Sequence, residues 1–286
     1  RPSAGYVSTI QSTPPRLRRH DPGTFPPMTR STTPCEVQTM TIAIRCGTLI
    51  DGAGADPVTG ATLIIEGSDI AAIHLDGSIP RDAEVIVLAV KPQQLREVCG
   101  GLASRLDGAL VLSIAAGVGV SALSRWLDGH ERIVRIMPNT PAMIGQGITV
   151  LCHNGNVSPE ARTQAATLMG AVGDTLWLED EVLMDAVTAI SGSGPAYIYY
   201  IIECMAAAGV KHGLTKEDAI RLATQTCKGA AALASESAFP VETLRRQVTS
   251  PGGTTEAALA VLQKDDALQY LIQEAVDAAV KRAKML

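Results

Sequence analysis

Glu84-Val85-Ile86-Val87-Leu88-Ala89-Val90, closed at once by Lys91-Pro92, is the stretch on which the fold turns. A continuous apolar run of this length, ended by a proline, suits a strand buried on both faces of a parallel sheet. Outward from it towards the carboxyl end, the pattern predicts a helix from about Gln93 to Leu106. Next come a strand over Leu110-Val111-Leu112-Ser113-Ile114 that ends in Ala115-Ala116-Gly117, a helix near 120–128, and the strand Arg132-Ile133-Val134-Arg135-Ile136-Met137. A β-α-β-α-β series of this kind predicts parallel strands joined by helical crossovers. A helix over about 158–172 and a short strand at Thr175–Leu178 follow. From Glu181 onward the text is helical throughout. At its end Leu268, Leu271, Ile272, Ala275, Val276, Ala279 and Val280 recur at three and four, one apolar helix face. The expected fold class is therefore α/β followed by all-α, with the boundary near 178–181.

Towards the amino end the text differs. Residues 41–79 alternate short apolar runs with Gly and Asp turns, and Ile42–Arg45, Ala61–Ile65 and Ile70–Ile73 read as short strands with no helix of ordinary length between them. Residues 1–40 are rich in Pro, Ser, Thr and Arg without hydrophobic period, and read as a disordered extension. They lack the apolar core of a secretory signal. Their arginines and scarcity of acids suit a transit peptide, but the prolines at 14, 15, 22, 26, 27 and 34 argue against an amphipathic helix. The chain begins with Arg1, so Met28 and Met40 are candidate starts within an upstream extension.

The whole chain has 286 residues, a net charge of −5 and 46% hydrophobic residues, ample for a core of one or two domains. So mild an acidity gives no reason to expect nucleic acid or an anionic membrane as partner. No apolar run approaches the roughly 18 residues needed to cross a bilayer. The cysteines at 35, 46, 99, 152, 204 and 227 form no C-x-x-C pair and read as reduced, structural thiols of a cytoplasmic protein. The five histidines show no metal-binding spacing, so no metal is expected.

Chemistry is expected where strands end in small or polar residues, because open α/β sheets bind ligands beyond the carboxyl ends of their strands. Three such ends are Ala89-Val90-Lys91-Pro92, Ala115-Ala116-Gly117 and Pro138-Asn139-Thr140-Pro141. Alanine and glycine admit a flat ligand, Lys91 offers a cation, and Asn139 offers a donor and an acceptor. The plain alternative is three ordinary strand-to-loop transitions. Ser250-Pro251-Gly252-Gly253-Thr254-Thr255 precedes a helix expected near Glu256. Its free N–H groups and the helix dipole would attract a small anion such as a carboxylate, the alternative being a simple threonine cap. Ser191-Gly192-Ser193-Gly194-Pro195-Ala196-Tyr197, inside helical text, suits either ligand approach or a kinked, tightly packed helix, and spacing alone does not separate the two.

Five segments, IVLAVKPQ (86–93), SIAAGV (113–118), RIMPNTPAMIGQG (135–147), DAVTAISGSGPAY (185–197) and VTSPGGTTEAAL (248–259), occur in the order and at about the spacing found in the 1-pyrroline-5-carboxylate reductases, and residues from about 80 to 286 resemble that family. The resemblance implies a Rossmann-like domain followed by a helical domain that interlocks with a second subunit in a homodimer or higher homo-oligomer. It implies hydride transfer from NADPH, or alternatively NADH, to the imine carbon of a cyclic small-molecule substrate, giving proline. By matched position it implies that Ala89, Val90, Lys91 and Pro92, with Ile114, Ala115 and Ala116, face the dinucleotide. Asn139 would lie near the nicotinamide, and Gln247 would make a polar cofactor contact. Glu181 would lie close to bound proline, and Gly252, Gly253, Thr254 and Thr255 would hold the substrate carboxylate. The Thr255 hydroxyl, the expected catalytic group, would reach the ring nitrogen.

The family's opening strand and G-x-G-x-M/L-A turn have no counterpart here. Gly52-Ala53-Gly54 is followed by Pro57 and Gly60, which do not continue a helix. Instead, residues 44–73 resemble the first β segment of metal-dependent amidohydrolases, without that family's metal ligands. The expected organisation is thus an extension (1–40), a β-rich segment in place of the first half of the nucleotide domain (41–79), the remainder of a truncated Rossmann-like sheet (80–180) and a helical dimerisation domain (181–286). The alternative to an active reductase is a catalytically impaired chimeric relative that serves only as a helical dimerisation module. An amidohydrolase activity lacks its ligands.

Overall fold

The computed structural model describes residues 41–46, 48–49, 58–66, 69–74 and 83–285. The expectations for residues 1–40 and for Gly52–Pro57 fall outside them. The chain forms two compact units, one running to Ser113 and including Ser124–Ile133, the other comprising Ile114–Leu123 and Val134–Leu286.

In the first unit the strands are β1 (Thr41–Cys46), β2 (Thr48–Leu49), β3 (Val58–Thr59), β4 (Thr62–Glu66), β5 (Asp69–His74), β6 (Val85–Ala89) and β7 (Leu110–Ser113). The main sheet runs β5-β4-β1-β6-β7, and β2 pairs with β3 apart from it. Residues Val85 to Leu88 are all buried, as a strand covered on both faces requires. β7 lies parallel to β6, from Val85 opposite Leu110 to Leu88 opposite Ser113. On the other side of β6 lies β1, also parallel, from Ile42 opposite Val85 to Cys46 opposite Ala89. The β-rich segment therefore places a strand directly against the first strand of the expected series, and β4 and β5 extend it antiparallel. Helix α1 (Pro92–Leu102) starts with proline, whose missing N–H is harmless at a helix start, and buries Leu95, Cys99 and Leu102 one to two turns apart. Each of the two leucines contributes about 1.5–3 kcal/mol.

The second unit holds strands β8 (Ile133–Met137, from its second residue), β9 (Gly147–His153) and β10 (Gly173–Leu178) in the order β8-β9-β10. β9 was not expected, and it corrects the all-parallel series: it runs antiparallel to β8, with Arg135 opposite Cys152. Only a five-residue 3₁₀ turn, Thr140–Ile144, occupies the connection, and a parallel partner would need a longer crossover. Helix α2 (Val120–Trp126) begins in this unit. Helix α3 (Pro159–Gly170), capped by the Ser158 hydroxyl on Ala161 N–H, leads to β10, which is parallel to β9. The remaining chain is helical: α4 (Met184–Val187), α5 (Gly194–Lys211), α6 (Lys216–Glu236), α7 (Val241–Gln247), α8 (Thr254–Leu262) and α9 (Ala267–Ala283). The change of text near 178–181 thus marks where strands give way to helices. The packing boundary comes earlier, because Val150 and Cys152 of β9 share a core with Met184, Met137, Leu178 and Val187.

Candidate functional site

In the first unit, Lys91 is the exposed N-cap of α1 in extended conformation, directly after half-buried Ala89 and buried Val90. The helix opens with Pro92, which has no N–H, and the Gln94 N–H is bonded to the Lys91 carbonyl at 2.9 Å, so the Lys91 side chain is the cationic group at this end. In the second unit, Ile114 and Ala116 are half-buried, Ala115 is buried, and the chain turns at left-handed Gly117 before Val120 opens α2.

Asn139 bonds within the protein at both ends of its amide: Oδ1 accepts from Ile148 N–H at 2.9 Å, and Nδ2 donates to the Ser191 carbonyl at 3.2 Å. The reason for the second bond lies four residues after Ser191. In a helix that carbonyl would accept from residue 195, which is proline and has no N–H. Asn139 supplies the missing donor, and its second N–H and second oxygen lone pair stay over for a ligand. The helix there widens into a π turn, Thr188–Gly192, with Ser193 N–H bonded to the Thr188 carbonyl at 2.8 Å. The Ser191 hydroxyl bonds back to the Val187 carbonyl at 3.0 Å. Gly192 has a packing role as well: a Cβ there would stand 2.6 Å from the Met137 methyl group. The Ser191–Tyr197 motif therefore runs from the end of a π turn into the start of α5, with Gly192 packed on Met137 at the end of β8.

Glu181 is bonded within the second unit. Its Oε1 accepts the N–H of Val120 at 2.8 Å and pairs with the buried Arg135 guanidinium at 3.1 Å. Cys152, opposite Arg135 on β9, has its thiol pKa raised, first by burial and then by the Glu181 charge.

Helix α8 begins at Thr254, two residues earlier than expected, with Gly253 as N-cap and no side-chain cap, so neither threonine is a capping residue. The Gly252 N–H accommodates a carboxylate: Glu256 Oε2 accepts from it at 2.7 Å. The Gly253 N–H, by contrast, is bonded to the Ser250 carbonyl at 3.0 Å, and this corrects its expected place among the anion-binding amides. The first-turn amides of Thr254 and Thr255 have no preceding helical carbonyl to donate to. Thr255 is half-buried, and Gln247, the last residue of α7, is exposed.

The helical part leaves large apolar side chains in water. Tyr200 is 67% exposed, Leu271 62% and Val261 72%, while the core between α5 and α6 consists of Ala206, Ala219 and Ala223 with Ile202. Among the described residues, no helix is long and apolar enough to cross a membrane.

Residues 181–286 match the family model described as pyrroline-5-carboxylate reductase dimerisation, and residues 69–117 match that of the coenzyme F420-dependent NADP oxidoreductases. A pyrroline-5-carboxylate reductase of Pseudomonas aeruginosa is 47% identical over 206 residues, 72% of this chain and 75% of that protein. The reductase of Pisum sativum is 40% identical over 222 residues, 77% of this chain and 80% of its own. Among solved structures, a pyrroline-5-carboxylate reductase from Coxiella burnetii superposes with a TM-score of 0.69 at 45% identity, covering 71% of this chain and 76% of that one. The Plasmodium falciparum pyrroline carboxylate reductase with NADP bound gives 0.65 at 35%, covering 72% and 78%.

Proposed function

The chain belongs to the pyrroline-5-carboxylate reductase family, and from that premise we propose how its residues divide the NAD(P)H-dependent reduction of 1-pyrroline-5-carboxylate to L-proline. The observation that supports the substrate site most directly is the Glu256 carboxylate on the Gly252 N–H. The substrate carboxylate takes this seat, held by the Gly252 N–H and by the first-turn amides and hydroxyls of Thr254 and Thr255, with the α8 dipole behind them. Thr255, free of any capping duty, directs its hydroxyl to the ring nitrogen and steadies the charge that changes there as the neighbouring carbon is reduced. When bound, the nicotinamide supplies the hydride for that carbon. Ala89, Val90, Lys91 and Pro92, with Ile114, Ala115 and Ala116, face the dinucleotide: the alanines allow close approach, and Lys91 at the start of α1 attracts phosphate. Gln247 adds a polar cofactor contact. Asn139 lies near the nicotinamide end, held by its bonds to Ile148 N–H and the Ser191 carbonyl. The dinucleotide is NADPH, with NADH as the alternative. The NADP held by the Plasmodium falciparum relative favours the phosphorylated form.

Among the described residues, β1 is followed by the strand β2 and not by a helix, so a first-helix seat for the pyrophosphate is not built there. Loss of such a helix end, worth about 1–2 kcal/mol, weakens binding roughly tenfold relative to a chain that has it. NADPH fluorescence titration is expected to give a dissociation constant well above the low micromolar range, and a low micromolar value would overturn this. The reaction itself is tested by coupling NADPH consumption to 1-pyrroline-5-carboxylate and assaying proline. Consumption without an equal yield of proline would refute the reading.

The exposed apolar helix faces are covered by a second copy of the chain, in a homodimer or higher homo-oligomer. Light scattering on the full chain at micromolar concentration should give at least twice the monomer mass, and a clean monomer would rule this out. Cys99, Cys152, Cys204 and Cys227 are all free thiols, which suits the reducing cytoplasm.

A further inference from the structure

Arg135 is a charged side chain only 6% exposed, and its guanidinium is paired with Glu181. Breaking a buried pair of this kind is costly, because the surviving charge remains in a poor solvent. The pair has a third member. The same Glu181 oxygen accepts the N–H of Val120, the first residue of α2 and itself fully buried. Gly119, just before it, lies so close that a Cβ would stand 3.3 Å from the carboxylate, so a larger residue there would press on it. One carboxylate thereby fastens three segments of the second unit: the end of the Ala115–Gly119 turn, the β8 strand that leads to Asn139, and the 3₁₀ turn at Glu181–Leu183 that leads to the π turn.

We propose that Glu181 is a positioning residue for the dinucleotide-facing turn Ile114–Gly119, acting through the Val120 N–H and Arg135 and not through contact with the substrate. The inference rests on the assignment of that turn to the cofactor. The turn contains left-handed Gly117 and half-buried Ala116, and its far end is fixed by a side chain that comes from 61 residues further along the chain. A glutamine at 181 keeps the oxygen that both N–H donors use. An alanine removes it, leaving the Val120 amide and the Arg135 guanidinium without their partner.

The test compares wild type, Glu181→Gln and Glu181→Ala in the full chain by amide hydrogen exchange and by kinetics. In Glu181→Ala, exchange should rise at residues 115–121, and KM for NADPH should rise about tenfold, the scale expected for loss of a hydrogen bond involving a charged group. KM for 1-pyrroline-5-carboxylate should stay within about twofold on the same reasoning. Glu181→Gln should restore both the exchange pattern and the NADPH KM. A rise confined to the substrate KM would show that Glu181 touches the substrate and would overturn the proposal. Unchanged exchange at 115–121 in Glu181→Ala would overturn it as well, as would a lowered melting temperature with both KM values unmoved. If wild type binds no dinucleotide, the assignment of the turn fails, while the exchange comparison still decides whether Glu181 holds it.

Discussion

Thr255→Ala is expected to lower turnover about 10²–10³-fold, the usual consequence of losing one hydrogen bond made to the reacting group in the transition state. Thr255→Ser should lose far less, because it keeps the hydroxyl. The structure sharpens this contrast. A threonine at a helix start commonly caps it, and removing such a cap costs about 1 kcal/mol of stability with little effect on the chemistry of the folded molecule. Here the N-cap is Gly253, and no side chain caps α8, so the alanine variant forfeits no cap. The expected pattern is a melting temperature close to wild type in both variants and a steep loss of kcat in only one. Equal turnover for Ala and Ser, measured at saturating NADPH and substrate, would remove Thr255 from the catalytic site.

The second large effect is expected at the other end of the chain. Ala43 is fully buried in β1, between β4 and the buried strand β6. Ala43→Asp would bury a carboxylate in the sheet, at a cost of several kcal/mol, comparable with the whole stability of many domains. The first unit should lose its cooperative unfolding transition, or the chain should fail to accumulate in soluble form. Ile70→Asp is the control, because Ile70 on β5 is 62% exposed, and a charge there should shift the melting temperature little. Near-identical melting curves for both variants would mean that β1 is not integral to the sheet.

Much of this architecture was legible in the sequence. The run from Glu84 to Val90, the alternation after it and the three short strands at 41–74 all declare themselves by hydrophobic pattern, and each became an element within a few residues of its expected bounds. β9 escaped because its signal, Ile148-Thr149-Val150-Leu151-Cys152, follows a loop that reads as a site motif, and the antiparallel return depends on how short the connection folds. The position of β1 was equally beyond reach: periodicity marks a strand but not its neighbour. In the candidate site, the start of α8 was readable to within two residues because glycines before a helix have a local meaning. Asn139, Gly253 and Glu181 were harder. Each carries polar groups that a sequence presents as available, and only folded neighbours show which partners they have. One signal was present all along: a proline at 195 leaves the carbonyl at 191 in need of a donor from elsewhere.

The sheet of the first unit finishes, among the described residues, at β5, a six-residue strand that carries Ile70 and Ile73 in exposed positions. A strand with one free flank is a template for another strand, and apolar side chains on it make the match adhesive. For a preparation of this protein the consequence is colloidal. Besides the self-limiting assembly of the helices, the β5 flank offers an open-ended mode of addition that grows with concentration and has no closing symmetry to stop it.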